Sequence, residues 1–225
     1  DIHIAEQQAE VTELLAHTGQ RPVGLMLSHH EVNARWCLIH ATQMTPNETV
    51  ALAQSQSVAG LCPITEANLG DGIFDGARFM QAGGRFGIGS DSNIRISLTE
   101  ELRLLEYSQR LGQKGRAILA GADRSTGRTL YDAAVQGGAQ AAGRDAGAIA
   151  VGQWADLVAL DLSGPDLQGV RGDTLLDTFI FAGDDRLVTD LWSAGRPLVT
   201  QGRHHCRDAV QRRYAQTVTR LRGAL

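Results

Sequence analysis

Four side chains of this sequence are of the types that hold a metal ion or move protons, and they follow one another along the chain as His3, Glu6, His40 and Asp91. Two imidazoles and a carboxylate are ligand types for a first-row divalent ion such as zinc or iron. Each also has a plainer role. A lone histidine in an apolar strand commonly serves as a hydrogen-bonded core residue, and an aspartate after GIGS as a turn former or helix cap. Position favours function. His3, His40 and Asp91 each stand at the end of a short apolar strand, where the loops of a β/α series open a mouth.

Other candidates carry less. His29 and His30 are neighbours on a helical stretch and point about 100° apart, so a surface role is expected. His204 and His205 sit with Arg203 and Cys206 in a turn before the last helix and read as solvated. The glycine-rich GRFGIGSD lacks the Lys-Ser/Thr of a phosphate loop and ends in a carboxylate, which repels phosphate. Met26, Met44 and Met80 read as core filler, and GGAQAAG as close packing followed by a helix stop.

The elements that position these residues alternate along the first two-thirds of the chain. Strands are expected at Ile2–Ala5, Trp36–His40, VAGLCP and Gly84–Asp91. Helices are expected over Glu6–His17, from Arg21-Pro22, after the capping box Thr45-Pro46-Asn47-Glu48, over Asp75–Ala82, and from a second box at Ser97–Glu100. A further helix covers Thr129–Ala142. Four strand–helix units in a row predict a parallel α/β sheet or barrel. Alternation places His3, Leu38 and His40 on one face, and Gly87 and Gly89 on the face of Asp91. From Gly147 the texture changes to GAIAVGQWADLVALDL, then TFIFAG, LVTDLWSAG and RPLVTQG, read as short strands of a small β domain. A basic helix over Asp208–Leu221 follows. The expected units are 1–145, 146–205 and 206–225.

The chain has 225 residues with a net charge of −4, 43% hydrophobic residues and three cysteines. It is long enough to bury a core, and its apolar content excludes disorder. The charge argues against general nucleic-acid binding, and no apolar run approaches the ~18 residues of a membrane helix. Cys37 and Cys62 lie in apolar runs and read as buried thiols, so a reducing cytoplasm is expected. The opening DIHIAEQ reads as mid-strand, which predicts that the chain begins inside a longer protein.

At these residues the chain resembles the amidohydrolase superfamily, in its aminohydrolase branch. DIHIAEQ, ARWCLIHAT, AGLCPITEANLGDGIFDG, GIGSDSN, EELRLLEYSQRL and FAGDDR together resemble the formimidoylglutamate deiminases of histidine degradation, over nearly the whole chain. Gln43 stands where related chains often carry His. The resemblance implies an α/β fold made of strands 5–8, the C-terminal half, of a metal-dependent (β/α)8 TIM-type barrel, plus part of a small β-sandwich domain. It implies zinc first, or iron, held by His3 and Asp91 together with an HxH pair that this sequence lacks. Glu6, His40 and Asp91 would be the catalytic groups. Substrate anchors would lie largely in the missing N-terminal half, so none is assigned here and the chain alone is expected to be inactive. A small-molecule substrate and a homodimer are implied. The competing expectations are an aminohydrolase acting on a nucleobase-like ring and a non-catalytic, truncated scaffold.

Overall fold

The computed structural model describes residues 1–92 and 95–224; Asn93 of the GIGSDSN segment and Leu225 lie outside them. Four short strands, β1 (Ile2–Ile4), β2 (Cys37–His40), β3 (Val58–Leu61) and β4 (Arg85–Ile88), form a parallel sheet in chain order. Parallel neighbours need long crossovers, and helices supply them. α1 (Gln8–Thr18) and α2 (Pro22–His29) join β1 to β2, and α3 (Pro46–Gln54) joins β2 to β3. α4 (Pro63–Leu69) and α5 (Gly76–Gln81) join β3 to β4, after which come α6 (Leu98–Gln113) and α7 (Thr126–Ala141).

Local chemistry explains where these helices start. Thr45 accepts from the Glu48 backbone N–H, Glu48 returns the bond to Thr45, and Pro46 fills the first turn, completing the expected capping box. At α6 only half of the second box forms. Ser97 accepts from the Glu100 N–H, but the Glu100 carboxylate pairs with Arg95 instead of reaching back. The close-packing expectation for GGAQAAG holds at Gly137. A Cβ there would lie 1.9 Å from the Phe86 carbonyl oxygen, so only glycine lets α7 approach β4. Gly143, at φ 59°, follows the end of that helix.

The core lies between one sheet face and the helices. Ile4, Leu38, Ala59, Leu61 and Phe86 pack there with Val11, Leu52, Phe79 and Leu102, and Met26, Met44 and Met80 fill its margin. This corrects the expected faces. The register sets His3 beside Ile39 and Ile4 beside His40, while Leu38 stands beside Ile2. Leu38 is therefore a core residue under the helices, and simple alternation puts the two histidines on opposite faces. Gly87, beside Gly60, does share the face of His3 and Ile39.

A second sheet, antiparallel, is formed by β5 (Leu157–Leu160), β6 (Val188–Ser193), β7 (Arg196–Thr200) and β8 (Arg203–His204) in chain order. Only Leu157–Leu160 of the GAIAVGQWADLVALDL stretch is strand. TFIFAG is not a strand. It belongs to α8 (Asp173–Phe181), where Leu176, Phe179 and Ile180 recur at helical spacing and are buried. A short apolar run of β-branched and aromatic residues fits either element, and tertiary packing decides. Here α8 docks on α6 and α7: Arg103 donates to the Ile180 and Gly183 carbonyls, and the Gly127 N–H donates to Asp177. α9 (Arg207–Arg222) follows β8 and has no buried residue. No helix among the described residues is long and apolar enough to cross a membrane.

Candidate active site

The ends of β1, β2 and β4 bring three expected residues together. Ligand atoms of His3, His40 and Asp91 all lie within 4.8 Å of one another. The His3 and His40 rings stand with centroids 5.3 Å apart, despite the register that separates them. The backbone accounts for this. His40 has φ 68° and Ala41 φ 49°, so the chain turns left-handed as it leaves β2 and re-aims the imidazole. Ala5 (φ 49°) and Asp91 (φ 40°) do the same at the other two strand ends. Left-handed backbone at non-glycine residues costs about 1–3 kcal/mol each and is kept where surrounding structure holds it in place.

The donor set suits a divalent ion. Imidazole and carboxylate are borderline-to-hard ligands of the kind zinc takes, and these atoms are close enough for small rotamer changes to converge. His3 and Asp91 are exposed at the mouth, whereas His40 is 1% exposed and lies between two carboxylates. Its Nδ1 lies 3.4 Å from Glu66 Oε1 and its Nε2 lies 3.7 Å from Glu6 Oε1.

Glu66, just past the end of β3, is a residue to which the sequence assigns no role. It sits in the first turn of α4, is 4% exposed, and its Oε1 also accepts from the Cys62 N–H at 3.1 Å. That places a buried carboxylate against His40 and fixes which ring edge faces the mouth. Burial pulls the His40 pKa down, but the Glu66 hydrogen bond and the charges of Glu6, Glu66 and Asp91 outweigh it and raise it above the usual histidine value. Burial also raises Glu6, helped by Asp71 and Asp91 and opposed by His40.

Glu6 is held by its own backbone. Glu10, in the first turn of α1, accepts from the N–H groups of Ala5 (2.8 Å) and Glu6 (3.0 Å). The helix-start carboxylate is therefore Glu10, and Glu6 remains free to face His40. The Asp91 loop is tied down through Ser92, whose hydroxyl lies 3.0 Å from Thr65 Oγ1 on α4. Gln43, two residues beyond Ala41, donates to the Asp71 carbonyl and holds the loop that carries Gly72. Cys62 is buried and inert, its thiol pushed up to about 12 by burial and by Glu66, Asp91 and Glu101.

The model of the Amidohydrolase family matches residues 1–198. The chain belongs to the amidohydrolase family. It is 50% identical over 221 residues to the formimidoylglutamate deiminase of Pseudomonas aeruginosa, covering 98% of this chain and 49% of that protein. An amidohydrolase structure from Brucella melitensis matches with a TM-score of 0.92 and 48% identity, over 98% of this chain and 48% of that one. A zinc-bound adenosine deaminase from Xanthomonas campestris matches with a TM-score of 0.87 and 28% identity, over 98% and 50%. The chain spans about half the length of the relatives it matches.

In this amidohydrolase chain two buried glutamates support the site from behind, and both positions are testable. Glu66→Ala removes the Nδ1 partner of His40. Loss of such an orienting group typically costs 10–100-fold, so any hydrolytic turnover at this site should fall by about that factor with metal content kept. Unchanged turnover would show that the imidazole needs no such partner. Glu101 on α6 is 1% exposed; its Oε2 accepts from the Ile64 N–H at the start of α4, while Oε1 has no partner among the described residues. Burial pushes its carboxyl up to about 7, against the Ile64 hydrogen bond. The folded pKa exceeds the unfolded one, so the folded state binds more protons. Its stabilising effect is complete below the ordinary carboxylate range and is lost as pH rises through about 7. The rise amounts to about 3 kcal/mol. Melting curves at pH 5 and 8 should show this loss, and Glu101→Gln should flatten it; an equal slope in the variant would assign the loss to other groups.

Proposed function

We propose that these residues belong to a metal-dependent hydrolase that deiminates N-formimino-L-glutamate to N-formyl-L-glutamate and ammonia. In that reading the chain forms the C-terminal half of a (β/α)8 barrel, strands 5–8, with part of a small β-sandwich domain. The units are 1–145, 146–205 and 206–225. The observation that carries it is the convergence of His3, Asp91, His40 and Glu6 at the strand ends of a chain 50% identical to a formimidoylglutamate deiminase.

His3 and Asp91 would hold the ion, zinc in the first instance, with the remaining ligands supplied by the other half of the barrel. Bound by His3 and Asp91, zinc would supply Lewis acidity and a water acidified from ~15.7 towards ~7. Asp91 takes up the proton that the attacking water loses. His40, oriented at Nδ1 by Glu66, presents Nε2–H to the oxygen that becomes the product carbonyl. Glu6 carries a proton at its carboxyl to the imino nitrogen, which leaves as ammonia. The formimino group of the substrate is cationic near neutral pH, and the carboxylates of Asp71 and Asp91, whose charges reach Glu6, suit a cation beside it. Water adds to the C=N carbon, the C–N bond to the leaving nitrogen breaks, and no oxidant or reductant is needed.

The test is ammonia release by the complete polypeptide, zinc-loaded, from N-formimino-L-glutamate and, in parallel, from adenosine and cytosine. Saturable release from the linear amidine alone supports the proposal. Release from a ring alone would keep the aminohydrolase site and move the substrate to the class of the adenosine deaminase neighbour. Bound metal with no release from any of the three would remove the assignment.

A further inference from the structure

We infer that His204, His205 and Cys206 form a second metal site, for a thiophilic ion of the zinc type, where β8 passes into α9. The site lies at the end of the antiparallel sheet, whereas His3 and His40 belong to the parallel one, and it does not depend on the reading of the catalytic centre. One ligand atom from each of the three residues lies within 4.8 Å of the others. Zinc bonds of 2.0–2.3 Å set ligand atoms roughly 3.3–3.8 Å apart, so small side-chain rotations close the set. Neighbouring residues on a helix diverge, but these three do not share a helix. His204 ends β8, Cys206 precedes the first residue of α9, and the turn between them folds the side chains together.

The two histidines are already oriented. The His205 backbone N–H donates to the Leu198 carbonyl on β7 at 3.1 Å, and its ring Nδ1 lies 3.2 Å from the same oxygen. A ring that donates from Nδ1 to a backbone carbonyl leaves the Nε2 lone pair for a ligand, the arrangement seen in metal-binding histidines generally. His204 lies stacked on it, with centroids 4.4 Å apart and ring planes 24° from parallel. Its Nδ1 accepts from the Cys206 N–H at 3.1 Å, a single neutral bond that a metal ion would replace. Cys206 is exposed, unlike Cys37 and Cys62, and stands immediately before the first residue of α9. Arg203 and Asp208 pair across the trio at 2.5 Å and draw the first turn of the helix towards the strand.

An imidazole–imidazole–thiolate set with an open fourth position takes zinc, and soft ligation also admits copper(I). The structure supplies a use for it. α9 has no buried residue, so it gains nothing from a core, and a metal at its first turn would staple it to the sheet.

Cobalt(II) added to the reduced, metal-free chain tests this, because thiolate ligation gives a charge-transfer band that an all-imidazole and carboxylate site cannot give. One equivalent should develop the band and one of zinc should remove it. Cys206→Ser and His205→Ala should each abolish it; both residues are exposed, and circular dichroism confirms that the variants fold. Zinc should also slow amide exchange at the start of α9. Three results would overturn the site: no band at excess cobalt, a band that survives Cys206→Ser, or a band undiminished in His205→Ala, which would mean a lone thiol.

Discussion

Replacing Glu6 by Gln should leave the bound metal in place and lower turnover by ~10²–10⁴-fold, the range spanned by a positioned general acid–base group. The substitution keeps the size and most of the hydrogen bonding of the side chain and takes away the proton it carries. Position is preserved because it does not depend on the carboxylate: Glu10 holds the backbone of residues 5 and 6. Glu6 Oε1 faces His40 Nε2 at 3.7 Å, and burial of the side chain raises its pKa above the ordinary carboxylate value. Metal analysis and steady-state rates on the same preparation check the prediction. A variant with normal metal and nearly normal turnover would show that the imino nitrogen takes its proton elsewhere, and would return Glu6 to the role of a helix-start residue beside Glu10.

Much of this site was legible in the sequence because it rests on short-range rules. Apolar runs mark the strands, with His40 closing β2 as expected, His3 inside β1 and Asp91 three residues past the end of β4, and capping residues such as Thr45 and Glu48 mark where the intervening helices begin. What was illegible depends on tertiary contact or on backbone conformation. Glu66 lies 26 positions after His40, in a seven-residue helix marked by Pro63 at its start and Gly70 at its end, and nothing local says that its carboxylate turns towards a histidine. Alternation predicted the wrong face for Leu38, since β2 ends in a left-handed turn that period-two reading cannot contain. α8 was misread for a different reason. Thr178–Phe181 has the residue types of a strand, and only its docking on α6 and α7 selects the helix. Where local preference and tertiary packing agreed, as at α3, the element could be read directly; where they disagreed, packing won.

His3→Ala and Asp91→Ala, made in the complete polypeptide, should each remove bound metal and with it activity, whereas His40→Ala should keep the ion and lose turnover. The three residues lie in one cluster, so geometry alone does not separate ligand from proton-handling group. Their surroundings do. His40 is buried, its Nδ1 held by Glu66 and its Nε2 turned towards Glu6 at 3.7 Å, which suits a proton-handling group. His3 and Asp91 are exposed towards the mouth and free to turn to an ion. Loss of an outer group typically weakens metal affinity 10–100-fold; loss of a direct ligand should exceed that and empty the site after dialysis. Elemental analysis of the three variants, normalised to protein, reads the difference. Stoichiometric metal retained in His3→Ala or Asp91→Ala would overturn the ligand assignment, and metal lost only in His40→Ala would exchange the roles of the two histidines.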